Sequence, residues 1–125
     1  MLEYLKNENI KLAVASSSTR WEVEKHLTDA GVINYFSVIV CGDMVEKSKP
    51  APDIYLKACE LLNANPKECI ALEDLKNGLL SAYRAGCKPI MVPDLWQPDE
   101  GILQIIKGKY SDLEQVKKAF EGGEL

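Results

Sequence analysis

A chain of 125 residues is long enough for one domain with a sizeable core and too short for two comfortable ones. With 46% hydrophobic and 27% charged residues, and no apolar run near the ~18 residues of a membrane span, it belongs with globular proteins rather than membrane-spanning or disordered chains. A formal net charge of −4 disfavours nonspecific binding to nucleic acid or anionic membranes, which needs a basic face, although Arg20 and Lys49 can still hold a small anion locally.

The opening residues, MLEYLKNENI, mix charge with leucine and read as neither a signal nor a transit peptide, which points to the cytoplasm. Leu2, Leu5 and Ile10 predict a short amphipathic helix ahead of a strand at Lys11–Ala15. That strand runs into Ser16-Ser17-Ser18. A helix from about Arg20 to Ala30 carries Val23, Leu27 and Ala30 on one face and stops at Gly31, a residue suited to a left-handed cap. His26 lies beside Val23 and Ala30 at helical spacing and reads as a packing or surface residue. Ser37–Cys41 is the next strand. Pro50, Ala51, Pro52 and Asp53 introduce a helix through about Leu62, with Ile54, Leu56, Ala58 and Leu61 as its apolar surface. A turn at Asn63–Lys67 leads to a short buried strand at Cys69–Leu72, then a helix Leu75–Ala85 closed by Gly86, then a strand Pro89–Val92 that completes the predicted sheet. Asp94–Gly101, with two prolines in or beside it, reads as a loop. Ser111 is placed to cap a last helix from about Asp112 to Phe120, and Glu121–Leu125 reads as a fraying end. Alternating strands and helices with short connections predict a layered α/β domain with a mostly parallel sheet.

Three strand-to-helix junctions carry reactive groups of different kinds. Ser16-Ser17-Ser18 follows the first strand, Lys49-Pro50 precedes a helix, and Glu73-Asp74 follows the strand at Cys69–Leu72. At one edge of a parallel sheet, hydroxyls, a compact cation and an acidic pair would hold a phosphoryl group and a divalent metal. Each has an ordinary reading alone: serines cap helices, Lys49 sits near Lys47 in a solvated loop, and acids favour a helix N-terminus. Cys41, Cys59, Cys69 and Cys87 show no C-x-x-C or Cys/His grouping and read as buried reduced thiols rather than a zinc site.

In this order the strings VASSS, SKPAPDIY and ALEDLKNG followed by AYRAG resemble the last three motifs of the haloacid dehalogenase superfamily, especially its β-phosphoglucomutase-like phosphatases. The resemblance covers most of Leu2–Asp94. It implies a three-layer Rossmann-like core, with Ser16 hydrogen-bonding the transferring phosphate and Lys49 balancing the charge of phosphate and nucleophile. Backbone N–H groups around Ser17 and Ser18 would add phosphate donors, and Thr19 and Arg20 would reach substrate oxygens. Asp74 becomes the leading Mg²⁺ ligand, with Glu73 in direct contact or arranging metal-bound water. Asp53 reads as a helix-start carboxylate. Leu75 stands where a serine is usual, so one polar contact near the metal is lost or replaced.

The implied reaction is attack by an aspartate on a small phosphate ester or phosphosugar, giving an aspartyl-phosphate that water or a sugar hydroxyl resolves. In that superfamily the nucleophile lies in a D-x-D motif on a strand between those ending here at Ser16 and Glu73, followed by a helical cap. No D-x-D occurs in this sequence, and Leu2–Asn9 leaves no room before it for that strand and cap. The expectation is therefore the C-terminal part of a longer phosphatase or phosphosugar mutase, inactive alone. Such a chain would recruit the absent segment, exchange strands between copies or rearrange its sheet. A noncatalytic phosphate-binding or assembly module is the alternative if Met1 is the native start. A phosphoacceptor receiver domain is a weaker third reading.

Overall fold

The computed structural model describes residues 1–92, 100–110 and 112–123. In chain order the elements are α1 (Leu2–Asn7), β1 (Ala13–Ser16), α2 (Arg20–Asp29), β2 (Val38–Cys41), α3 (Asp53–Leu62), β3 (Ile70–Glu73), α4 (Lys76–Ala85), β4 (Lys88–Met91), α5 (Glu100–Ile105), β5 (Gly108–Lys109) and α6 (Leu113–Glu121). Every strand pair is parallel, with helices as the crossovers that parallel strands require. Predicted strand ends differ from these by one or two residues, where hydrogen bonding rather than side-chain pattern sets the boundary.

The strands form two pieces. β1 pairs with β2 in one, and β3-β4-β5 lie in that order in the other. Ser16 sits opposite Cys41 and Glu73 opposite Met91, so each strand delivers its last residue to the same kind of edge. α3 packs on β1 and β2 and also on α4, which itself packs on β3 and β4. The two helices thus tie the two sheet pieces together. Val40, Ile54, Ala58, Cys59, Ala71, Ala82 and Cys87 share one core cluster, and Leu79, Met91 and Ile102 a second. Among the described residues, no helix is long and apolar enough to cross a membrane.

Left-handed positions end three helices where the sequence supplies residues tolerant of them. Gly31 follows α2 at φ 73°, Asn63 caps α3 at φ 55° and Gly86 caps α4 at φ 95°.

Several expectations need correction. The buried face of α3 is Ile54, Tyr55, Ala58 and Cys59, whereas Leu56 and Leu61 are exposed. DIYLKACELL has apolar residues on most sides, so spacing alone admits both faces. The sheet does not end at β4, because Gly108 and Lys109 pair with Ile90 and Met91. Gly101 lies inside α5 rather than in a loop, while residues 94–99 and Ser111 lie outside the described residues. Asp112 caps α6 by accepting from the Gln115 N–H at 2.9 Å. Ile10 follows α1 rather than joining it, whereas His26, exposed on the last turn of α2, agrees with the surface reading. All four cysteines are free thiols, with Cys69 only half-buried.

Candidate active site

The first wall of the site begins where β1 runs out. Ser16 accepts a hydrogen bond from the Ser18 N–H at 3.2 Å, which turns the chain and leaves the Ser16 O–H as a donor. Thr19, not one of the serines, caps α2: its hydroxyl oxygen accepts from the Glu22 N–H and its O–H donates to the Glu22 carboxylate at 3.0 Å. Behind this turn the Gly42 N–H donates to the Ser18 carbonyl at 3.1 Å. A Cβ at Gly42 would collide with the Ser17 backbone carbonyl. Gly42→Ala should therefore displace the serine turn and lower stability by about 1–3 kcal/mol in a urea melt. An unchanged midpoint would show that the turn is not held against Gly42.

Lys49 crosses between the two sheet pieces. Its Nζ donates to the Ala15 carbonyl of β1 at 3.0 Å and to Glu73 Oε1 of β3 at 2.6 Å. The ammonium also lies 5.4 Å from the centre of the Tyr55 ring. Tyr55 donates its own hydroxyl to the same Glu73 oxygen. Burial, then the neighbouring Glu73 carboxylate, holds that phenol well above its ordinary range, so it stays protonated and a donor. The Lys49 and Glu73 side chains are only 13% and 10% exposed, which makes this a paired, largely desolvated charge couple.

β3 supplies the other wall. A pocket of about 420 Å³ is lined by Ser16, Ser17, Lys49, Glu73, Asp74 and Asn77, with Ala15, Leu72, Leu75 and Gly78 completing it. The three predicted junctions therefore meet at one cavity. Ser18, Thr19 and Arg20 do not line it. Arg20 instead donates from Nε to Glu24 at 2.7 Å and from Nη1 to the Ile39 carbonyl at 3.3 Å. Asp53, at the start of α3, accepts from the Lys47 N–H at 3.3 Å. Tyr55, Gly42 and Asn77 are the contributors that motif reading omits.

Leu75 is the N-cap of α4, with extended backbone angles and no side-chain cap, and is 58% exposed. Leu75→Ser should supply the absent acceptor for the first turn and stabilise the chain by about 1 kcal/mol. A lower unfolding midpoint would show that Leu75 contributes packing that outweighs the cap.

Residues 1–92 match the family described as haloacid dehalogenase-like hydrolase. The chain is 40% identical over 89 residues to a phosphorylated carbohydrates phosphatase of Thermotoga maritima, covering 71% of this chain and 41% of that protein. It is 41% identical over 86 residues to β-phosphoglucomutase of Bacillus subtilis, covering 69% and 37% respectively. Among solved structures, CbbY from Rhodobacter sphaeroides in complex with phosphate superposes with a TM-score of 0.83 at 32% identity, over 92% of this chain and 52% of that one. The chain thus spans less than half the length of these two curated relatives. With its parallel strands, the order of its three motifs and a family match over most of its length, the chain belongs to the haloacid dehalogenase-like hydrolases.

Proposed function

We propose that this chain forms the phosphate-binding and charge-balancing half of a phosphoryl-transfer site that hydrolyses small phosphate esters. The observation that carries this reading is the single cavity bounded by Ser16, Lys49 and Asp74, with Lys49 bonded to both sheet pieces. In this reading the Ser16 hydroxyl donates to a phosphate oxygen. The Lys49 ammonium, held by Ala15 and Glu73, lowers the repulsion between that anion and an incoming carboxylate. The nucleophile is an aspartate from a segment outside these 125 residues: its attack on phosphorus breaks the P–O ester bond and releases the alcohol, and water then hydrolyses the aspartyl-phosphate to aspartate and inorganic phosphate. If a sugar hydroxyl takes the place of water, the same half-site serves a phosphosugar mutase, as the name of the Bacillus subtilis relative suggests.

Mg²⁺ prefers hard oxygen ligands, and when bound it would offset negative charge on the phosphoryl group. Asp74 and Glu73 suit it in kind. Among the described residues, however, no group of three His, Cys, Asp or Glu is placed to hold a metal ion. Mg²⁺ takes one or two carboxylates and fills the rest of its shell with water and substrate phosphate, so we assign Asp74 as a contributor, Glu73 as its neighbour, and a further oxygen to the segment that brings the nucleophile. That segment would pair with β1 and β3 between the two sheet pieces, or a second copy would exchange a strand there.

The test is turnover of a generic phosphate ester with Mg²⁺. The 125-residue chain alone should be inactive, and the chain joined to a segment that carries a D-x-D strand should be active. Inactivity of both, with retained binding of inorganic phosphate, would favour a noncatalytic phosphate-binding module. Activity of the 125 residues alone would overturn the assignment of the nucleophile.

A further inference from the structure

Tyr55 belongs to none of the chemistry-bearing junctions, yet its hydroxyl ends on the ion pair at their centre. A core tyrosine needs some hydrogen-bond partner, and any backbone carbonyl would satisfy it. Here the partner is Glu73 Oε1, the oxygen that Lys49 also uses, and the Tyr55 ring lies beside the same ammonium. Any rotation of the Glu73 carboxylate would therefore break both bonds together. On the opposite side the carboxylate lies against Gly78 of α4, where a Cβ would occupy its space. Glu73 is thus fixed by α3, α4 and Lys49 at once. Lysine has four flexible side-chain torsions and three N–H donors, of which Ala15 and Glu73 take two. Fixing Glu73 fixes where the third donor points.

We infer that Tyr55 is a positioning residue: by holding Glu73 Oε1 it sets the Lys49 ammonium at the Ser16 end of β1, the orientation a phosphoryl oxygen in the cavity would need. This rests on the phosphate-site reading above. Tyr55→Phe keeps the ring and its packing and removes only the O–H, so it separates positioning from core filling.

The experiment uses the 125-residue chain labelled with ¹⁵N. The wild type should show a slowly exchanging Lys49 ammonium signal in its ¹⁵N–¹H spectrum and bind inorganic phosphate. Tyr55→Phe should leave the backbone amide spectrum unchanged beyond the contact, broaden the Lys49 signal away and weaken phosphate binding by roughly tenfold, as expected for loss of a bond to a charged group. A purely structural role would shift amides across the α3 core while leaving the Lys49 signal in place. Retention of that signal together with unchanged phosphate affinity would overturn the inference. If the wild type binds no phosphate, the phosphate-site reading fails while the ammonium signal still tests Tyr55. If Tyr55→Phe does not fold, the wild type decides through cross-relaxation between the Tyr55 hydroxyl proton and the Lys49 ammonium protons. Its presence supports the placement and its absence overturns it.

Discussion

Lys49→Ala should cost the folded chain about 3 kcal/mol and abolish measurable phosphate binding. The Glu73 side chain is 10% exposed, and without the ammonium its Oε1 would keep only the Tyr55 hydroxyl as a described partner. An uncompensated carboxylate at that depth is the costly state, more than the loss of attraction itself. The double variant Lys49→Met with Glu73→Gln removes both charges and should recover most of the loss, because Tyr55 can still donate to the amide oxygen. Urea unfolding of Lys49→Met, Glu73→Gln and the double variant measures the coupling directly. Additive effects would show that the pair is not a buried couple. In an active longer polypeptide the same Lys49→Ala change should lower kcat by about 10²–10³-fold, the usual effect of deleting one donor aimed at developing charge. Unchanged turnover would remove Lys49 from the mechanism.

Completing the sheet should raise the melting temperature by about 10 °C or more. Among the described strands β1 pairs only with β2, and β3 only with β4, so each presents an edge toward the cavity. A strand inserted between them gains backbone hydrogen bonds worth about 1 kcal/mol each. It would also cover Leu72 and Leu75, which are 37% and 58% exposed. Thermal melts of the chain with and without an added segment carrying a D-x-D strand check this. The chain alone should self-associate as its concentration rises, since paired edges are the alternative to a completing strand. Identical melts, together with a monomer at every concentration, would show that the edges are satisfied without it.

How far the fold could be read from the residues depended on how local the signal was. Gly31 and Gly86 marked helix ends because only a left-handed residue fits there, and both occupy that conformation. Ser16, Lys49 and Glu73-Asp74 could be placed at one edge because each lies where a strand gives way to the helix that follows it, and the carboxyl ends of a parallel sheet gather on one side. Tyr55 gave no such signal: in SKPAPDIY it looks like one more apolar residue of α3, and its partner lies 18 positions away on β3. Gly42 was equally silent, since nothing local shows that Ser17 presses against it. β5 is two residues long and carries no alternating pattern, so only its pairing with β4 defines it. Thr19 displaced the serines as the cap of α2. The Thr19-x-x-Glu22 spacing was the available clue, because threonine followed three residues later by glutamate marks a helix start.

Whether a nucleophile strand completes this half-site is decided by the intact mass of the native protein from its source cells, taken on material assayed with Mg²⁺ and a generic phosphate ester. A half-site completed by a nucleophile strand outside these residues should give a polypeptide well above the 13.9 kDa of this chain, with Mg²⁺-dependent turnover. A native protein of 13.9 kDa without turnover would contradict this expectation and leave a phosphate-binding or assembly module in its place.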